Sequence, residues 1–317
     1  MITLATVYAF AGLIFAAFAL LSALDRTHRK RFGNAAFWSL VALSFLAGDY
    51  LGDFGNGLLV LGLVTLSGSG ALGRSDPPTT SAEQRRLEAG RRGNRLFLTA
   101  LIIPATALAG TLLLPHVTID GAPLVDPRQV TLVSLALGVI VALAVAMIWL
   151  RAPLAAPLQE GRRLIDAVGW AAVLPQMLAA LGAVFALAGV GDVVGTYASA
   201  WIPAGNLFAT VAAYAMGMAL FTMVMGNAFG AFPVMTAAIG LPLLIRQYGG
   251  DPAIVAAIGM LSGFCGTLMT PMAANYNIVP AALLELSNRN GVIREQIGTA
   301  IPLLGVNLIL IYVLAFR

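Results

Sequence analysis

Long apolar runs separated by short polar or basic loops dominate the hydrophobic pattern of the chain. A helix rises about 1.5 Å per residue, so roughly 20 apolar residues cross about 30 Å of hydrocarbon. The segments that reach this length are residues 2–24, 34–51, 56–73, 95–114, 129–150, 164–190, a pair within 207–245, 252–286 and 297–316. The pattern therefore predicts an all-α polytopic membrane protein of about nine or ten transmembrane helices.

The composition excludes an ordinary soluble domain. The chain has 317 residues, of which 59% are hydrophobic and 10% are charged, whereas soluble domains carry roughly 25% charged residues. Most of the outer surface is therefore expected to face the lipid bilayer. The single cysteine, Cys265, excludes a disulfide within the chain. The histidines, His28 and His116, fall in loops on opposite sides, so neither a histidine-based zinc site nor a histidine-based catalytic triad is expected inside the membrane.

The basic residues are divided unevenly between the two sides of the predicted bundle. Fifteen of the 18 Lys and Arg side chains lie in four loops, which are residues 26–31, 74–95, 151–163 and 289–294. The other side receives Arg128, Arg246 and Arg317. By the positive-inside rule, the four basic loops are cytoplasmic and the N-terminus is outside. Membrane topology thus explains the positive charge, and no nucleic-acid partner is expected.

One long polar loop, residues 74–95, interrupts the apolar pattern. Residues 82–92 within it are expected to form a short basic helix. The first apolar run is too long for a signal peptide and is expected to be retained.

Two stretches near the C-terminus place helix breakers and neutral polar groups inside apolar segments. These stretches are residues 226–236 and 266–277. Lipid cannot satisfy freed backbone groups, so irregular backbone at membrane depth is tolerated only against protein or a water-filled cavity. We therefore predict a re-entrant hairpin at 207–245, with two full crossings as the alternative, a broken helix at 252–286 and a last helix at 297–316. This transport module, 207–317, would follow a helical scaffold at 1–206.

The breaks are the predicted site for a small-molecule substrate and an ion. Helix ends inside the membrane offer amides to an anion and carbonyls to a cation, while Asn and Thr side chains orient the ligand without a buried formal charge. The predicted binding residues are Gly226, Asn227, Ala228, Thr236, Thr267, Thr270, Pro271, Asn275 and Asn277. The alternative is that each Asn or Thr only bridges neighbouring helices, at about 0.6 kcal/mol.

Carboxylates are the candidate proton carriers. The candidates are Asp49, Asp53, Asp166 and Glu285. Asp49 and Asp53 are spaced i, i+4 and would share a helix face, where they could hold a proton or a metal or simply lie at a wet helix end. Asp166 is expected at the start of the segment 164–190, where an acidic residue complements the helix dipole.

The C-terminal motifs resemble those of a known family. The runs GNAFGAFPVMTAAIGLPLLI, GMLSGFCGTLMTPMAANYNIVPAALLEL and IGTAIPLL, together with DAVGWAAVLPQMLAALGAVFALAGVGDVV upstream, are similar to the bacterial 5-oxoproline (pyroglutamate) transporter-subunit family, formerly a domain of unknown function. The resemblance implies half of an ion-transporter superfamily fold: a hairpin, a helix broken in its middle and a closing helix. It also implies a second, smaller membrane subunit and a bacterial cytoplasmic membrane.

The sequence therefore favours a secondary-transporter subunit that carries a small carboxylate, with 5-oxoproline foremost, coupled to H⁺ or Na⁺. One hairpin and one broken helix make half of an inverted-repeat site, so either a hetero-partner or a homodimer should supply the rest. No cofactor other than Na⁺ as coupling ion and no enzymatic activity are expected. Two alternatives stay open: a membrane-embedded, metal-dependent enzyme using Asp49 and Asp53, and a scaffold subunit that does not itself transport.

Overall fold

The computed structural model describes residues 2–77, 79–119, 122–203, 205–284 and 286–317. The prediction of an all-α polytopic membrane protein is confirmed. Among the described residues, seven helices are long and apolar enough to cross a membrane, or eight if a bent pair counts as one span. The chain divides into two compact units, Met1–Gly169 and Trp170–Arg317.

The first unit consists of helices joined by short turns. Its helices are α1 (Leu4–Leu24), α2 (Arg31–Gly68), α3 (Ala82–Arg92), α4 (Leu96–Leu113), α5 (Val130–Leu150) and α6 (Ala156–Val168). Short 3₁₀ turns cover Gly93–Arg95 and Leu114–His116, and two-residue strands pair Thr118–Ile119 with Ala122–Pro123. A further 3₁₀ turn, Gly169–Val173, begins at the last residue of this unit. The predicted basic helix at 82–92 is confirmed as α3, which Ser81 and Gln84 begin with a reciprocal capping box.

Helix α2 reverses direction at Gly52. This glycine has φ 60° and ψ −178°, a conformation that L side chains rarely adopt. The limbs on either side lie antiparallel, because Leu40 packs on Gly62 and the Asn34 side chain bonds both backbone groups of Gly73 at 2.6 and 2.9 Å. The 38 residues therefore form two limbs, which matches the two separate segments predicted at 34–51 and 56–73.

Three of the predicted basic loops meet at one end of the first unit. Lys30 donates to the carbonyl of Gly70 at 2.7 Å, and Thr80 donates to Glu160 at 2.9 Å. Ile2 instead bonds the backbone of Leu124, at the opposite end of α1. The shared side predicted for these loops is thereby confirmed within this unit. The leaflet that this side faces stays a prediction.

A buried ion pair fastens α6 to the end of α1. Arg162 contacts Asp25 at 2.9 Å and also donates to the carbonyl of Leu21 at 2.7 Å. Burial alone would raise the pKa of Asp25, but hydrogen bonds from Thr27 and the charge and hydrogen bond of Arg162 outweigh it and hold this pKa below its usual value. Asp25 is therefore ionised at neutral pH and neutralises an Arg that has little access to water.

The second unit contains the hairpin and the broken helix. Its elements are α7 (Leu174–Leu187), α8 (Val190–Trp201), α9 (Leu207–Met225), α10 (Ala228–Met235), a π-helix (Thr236–Gln247), α11 (Pro252–Leu268), α12 (Ala274–Leu283) and α13 (Gly291–Leu314). The last helix thus begins six residues before the predicted 297.

The single span predicted at 164–190 is wrong. Gly169, at φ 59°, ends α6, and Gly189, at φ 67°, separates α7 from α8. Parts of α7 and α8 form a pair bent by 69°. The sequence stays apolar through both glycines, which is why a single span was predicted. Their positive φ angles nevertheless end α6 and α7. The compact second unit includes α7 and α8, whereas the functional division proposed at residue 206 stays a prediction.

The core of the second unit lies between α9, the π-helix and α11. Tyr214, Met218 and Val255 are completely buried there. Small residues let the helices approach closely: Gly266 packs on the backbone of Ala219, where a side chain would overlap the carbonyl. This close packing holds α9, the first half of the hairpin, against the end of α11.

Candidate functional site

The hairpin tip consists of Gly226 and Asn227. Helix α9 ends at Gly226, which has φ 80°, and Asn227 caps α10 by accepting a 2.8 Å hydrogen bond from the amide of Phe229. The chain then returns antiparallel, so that Met235 packs on Gly217. Asn227 is only 4% exposed and Ala228 is completely buried. The two limbs thus form a helical hairpin whose tip is enclosed by protein. Both limbs are long and apolar enough to cross a membrane, so the choice between a re-entrant hairpin and two full crossings stays a prediction.

The break in the second segment lies between the end of α11 and the start of α12. Pro271 has no amide hydrogen and disfavours helix at the residue before it, which explains why the helix stops here. Asn277 spans the gap: its Nδ2 donates to the carbonyls of Thr267 and Thr270 at 2.8 and 2.7 Å. These two bonds satisfy backbone oxygens that the interruption releases, as lipid could not.

The tip and the break meet directly. The Thr270 hydroxyl donates to the carbonyl of Met223 at 2.9 Å and accepts the amide of Met272 at 3.2 Å. Gly226 lies so close to the carbonyl of Met272 that a Cβ would overlap it. We call this contact of residues 222–228 with 267–277 the tip–break junction. It includes eight of the nine predicted binding residues, all except Thr236.

Three buried side-chain oxygens around the junction have no hydrogen-bond partner among the described residues. They are Thr222 Oγ1, Asn275 Oδ1 and Asn277 Oδ1. The orientation of the Asn277 amide follows from its network, because its nitrogen already serves two carbonyls. A buried polar atom without a partner is costly, so these oxygens are candidate contacts for ordered water, for a ligand that donates hydrogen bonds or for a cation.

The amides predicted to bind an anion are partly used within the chain. Phe229 donates to the Asn227 side chain, and the amides of Ala274 and Asn277 donate to carbonyls inside the break. The predicted carboxylate-binding role of these helix starts stays a prediction. The oxygens without partners are the clearer chemical feature.

Sequence reasoning missed an aromatic cluster next to the junction. Phe264 contacts Phe229 with ring centroids 5.9 Å apart and Tyr276 with centroids 6.3 Å apart. Phe229 is 53% exposed and Tyr276 40%. Phe229 and Tyr276 lie within the two stretches, 226–236 and 266–277, that were predicted to bind the ligand. This position was the sequence signal that could have identified them. They offer partly exposed apolar ring faces next to the tip–break junction.

Thr236 lies apart from the junction. Its hydroxyl is 3.5 Å from that of Tyr214, which stands twelve residues before the tip, or about 18 Å along α9. The stretch of helix breakers, residues 226–236, extends to Thr236. Because the chain is helical there, the end of this stretch lies far from the tip.

The candidate proton carriers lie elsewhere in the chain. Asp49 and Asp53 are exposed on either side of Gly52, so the reversal of α2 breaks the helical face they were predicted to share. No group of three or more His, Cys, Asp or Glu converges on a metal-sized site in the described part of the chain. Glu285 falls outside the described residues.

The expectation that Asp166 begins a helix is wrong. It lies near the C-terminal end of α6, because that helix starts at Ala156 and stops at Gly169. The carboxylate is buried and accepts hydrogen bonds from the indole of Trp38, at 2.7 Å, and the hydroxyl of Ser75. It thereby ties three segments of the first unit together.

Comparison with known proteins gives a family. The model of the family described as "Protein of unknown function (DUF979)" matches residues 5–316. No match was found among curated proteins or among solved structures.

Proposed function

The chain belongs to the DUF979 family, and from the geometry of its hairpin and broken helix we propose that it is a subunit of a secondary active transporter for a small organic carboxylate. 5-Oxoproline is the first solute to test. The observation that carries the proposal is the tip–break junction, where two helix interruptions meet around buried oxygens without partners. Transporters bind solutes and coupling ions at such discontinuous helices.

Na⁺ is the better of the two coupling ions for this junction. The sequence from 207 to 245 contains no Asp, Glu, His, Lys or Arg, and the segment 252–286 contains only Glu285, eight residues after Asn277. The stretches 222–228 and 267–277 that form the junction therefore hold no proton carrier of the usual kind, whereas neutral oxygens from Thr222, Asn275 and Asn277 suit a hard cation. A bound Na⁺ would in turn attract the carboxylate of the solute.

The subunit would work in the bacterial cytoplasmic membrane, with its N-terminus outside. A second, smaller membrane subunit or a second copy of this chain would complete the pathway, since one hairpin and one broken helix make half of an inverted-repeat site. In this proposal the chain performs no bond chemistry. The first unit serves as the scaffold.

Flux in vesicles tests the proposal. The chain is reconstituted with and without the second, smaller membrane subunit. Uptake of labelled 5-oxoproline is then followed under an imposed Na⁺ or pH gradient. We expect uptake driven by inward Na⁺ in the two-subunit vesicles. Uptake driven only by a pH gradient would overturn the choice of ion, and normal transport by the partner alone would identify this chain as a scaffold.

Asn275→Ala separates a binding role from a structural one. Its Oδ1 makes no hydrogen bond in the described structure, so removing it should leave thermal stability unchanged. Loss of a ligand contact worth about 1.4 kcal/mol or more lowers affinity at least about tenfold, so the Na⁺ concentration for half-maximal uptake should rise by that factor. Asn290→Ala, at an exposed loop position, is the matched control and should change neither quantity. Unaltered Na⁺ dependence in Asn275→Ala would contradict the assignment.

A further inference from the structure

The α4–α5 pair in the first unit has one strongly basic end. The two helices run antiparallel, because Thr111 meets Thr131 at 3.3 Å near one end and Arg92 meets Trp149 near the other. At that second end the guanidinium of Arg92 lies 5.2 Å from the indole centroid. An aromatic ring beside cations at a helix end is typical of the membrane–water interface.

Two further arginines flank this contact. Arg95 follows Arg92 by three residues, across the 3₁₀ turn at Gly93–Arg95, and Arg151 follows Trp149 by two, so both arginines belong to the same end of the α4–α5 pair. Both are exposed, and neither makes an ion pair or a side-chain hydrogen bond to any residue that the structure describes. The nearby carboxylate of Glu88 is already bound by Arg92 at 2.8 Å. Positive charge is therefore left over at this end.

Arg151 also has an unfavourable backbone. It ends α5 in the left-handed conformation, with φ 51°, a position where glycine or asparagine is usual. Among the described non-glycine residues it alone has a positive φ. Glycine would be more stable here, so this backbone position alone does not explain the arginine.

An apolar face continues from the basic end. Helix α4 packs on α5 and buries none of its described residues. Phe97, Leu98 and Leu101, in its first two turns, are 68%, 61% and 58% exposed. The basic side chains at the end of the helix suit an anionic phospholipid headgroup, and the apolar side chains in the following turns suit its acyl chains.

We propose that Arg95 and Arg151 bind the phosphate of an anionic phospholipid whose acyl chains lie along α4. Guanidinium groups bind phosphate oxygens with paired, charge-assisted hydrogen bonds, and Trp149 marks the depth of the headgroup. The ligand is a lipid, because the exposed α4 face gives acyl chains a surface that free phosphate would not use. This site is independent of the transport proposal.

Lipid retention measured by native mass spectrometry tests the site. The purified protein is titrated with phosphatidylglycerol or phosphatidylcholine in detergent, for the native chain and for Arg95→Gln/Arg151→Gln. We expect tight binding of one phosphatidylglycerol, lowered about 10- to 30-fold in the double variant. Arg128→Gln, near the other end of α5, should bind as the native chain does. Equal binding of both lipids, equal loss in the control or no loss in the double variant would overturn the proposal.

Two additions keep the test decisive. Inorganic phosphate is added as a competitor, and displacement of the lipid at millimolar phosphate would show a site for free anions instead. Arg151→Gly removes the backbone strain together with the charge, so it should raise the melting temperature while weakening phosphatidylglycerol binding. A variant that gains stability and keeps full lipid affinity would show that Arg151 has no part in binding.

Discussion

Gly226→Ala is expected to abolish uptake and to lower the stability of the second unit. The residue has φ 80°, and an added Cβ would stand 2.7 Å from the carbonyl carbon of Met272 and closer still to its oxygen. The left-handed conformation costs about 1–2 kcal/mol for alanine, and overpacking costs about 1–3 kcal/mol more. Because the obstacle is backbone, the chain can relieve it only by moving the tip away from the break. Uptake of labelled solute and thermal unfolding in detergent measure both effects.

Gly249→Ala is the matched control for this substitution. Gly249 has φ 71° but no atom within 4 Å of an added Cβ, so it carries the conformational cost without the clash. We expect a modest loss of stability and nearly native uptake. Uptake by Gly226→Ala within about twofold of the native rate would show that the contact between tip and break is not required for transport.

Asp25→Ala is expected to destabilise the first unit more than any surface substitution. The Arg162 side chain is 3% exposed and that of Asp25 is 10% exposed. Removing the carboxylate leaves a buried guanidinium without a counter-charge, a change that costs about 3–5 kcal/mol. The melting temperature should fall on the order of 10 °C.

Two controls separate charge from packing in this ion pair. Glu88→Ala breaks a pair whose carboxylate is half exposed, and such pairs contribute less than about 1 kcal/mol. Asp25→Ala combined with Arg162→Met removes both charges and should recover most of the lost stability. A double variant as unstable as Asp25→Ala alone would contradict the buried-charge explanation.

The same pair makes the first unit sensitive to acid. The pKa of Asp25 is lowered in the folded state, so its contribution is complete at neutral pH and is lost as the pH falls through the carboxylate range, below about pH 4. The native melting temperature should drop there, and the Asp25→Ala variant should lack that part of the decrease.

The helix interruptions at the tip and the break could be predicted from sequence because Gly226 and Pro271 act locally. Gly226 and Pro271 each alter the local backbone conformation independently of their surroundings. An unpaired backbone N–H or C=O group in lipid also has a high free-energy cost. Their meeting could also be anticipated, since adjacent segments usually pack together. Which atoms remain unpaired could not, because the two bonds of Asn277 depend on where α11 stops and how α12 is turned.

Contacts between residues that are far apart in the chain could not be predicted from the sequence, for a related reason. Asp166 bonds Trp38 and Ser75, which are 128 and 91 residues away, and no local pattern reports such a distance. Phe264 likewise contributes through rings brought to it from two other segments. Gly169 and Gly189 were visible, but many glycines in this composition lie within helices, so their positive φ could not be singled out.

The short chain separation across the tip–break junction has a consequence for biosynthesis. Thr270 and Met223 are 47 residues apart, and the hairpin precedes the break in the chain, so both of its limbs are synthesised before the break. Closing a loop of this length costs only modestly more entropy than closing a shorter one, so the contact can form as soon as the break follows. Until α12 follows, the carbonyl of Met223 lacks its donor, and a nascent chain stopped at that stage would present an incomplete surface to membrane chaperones and proteases.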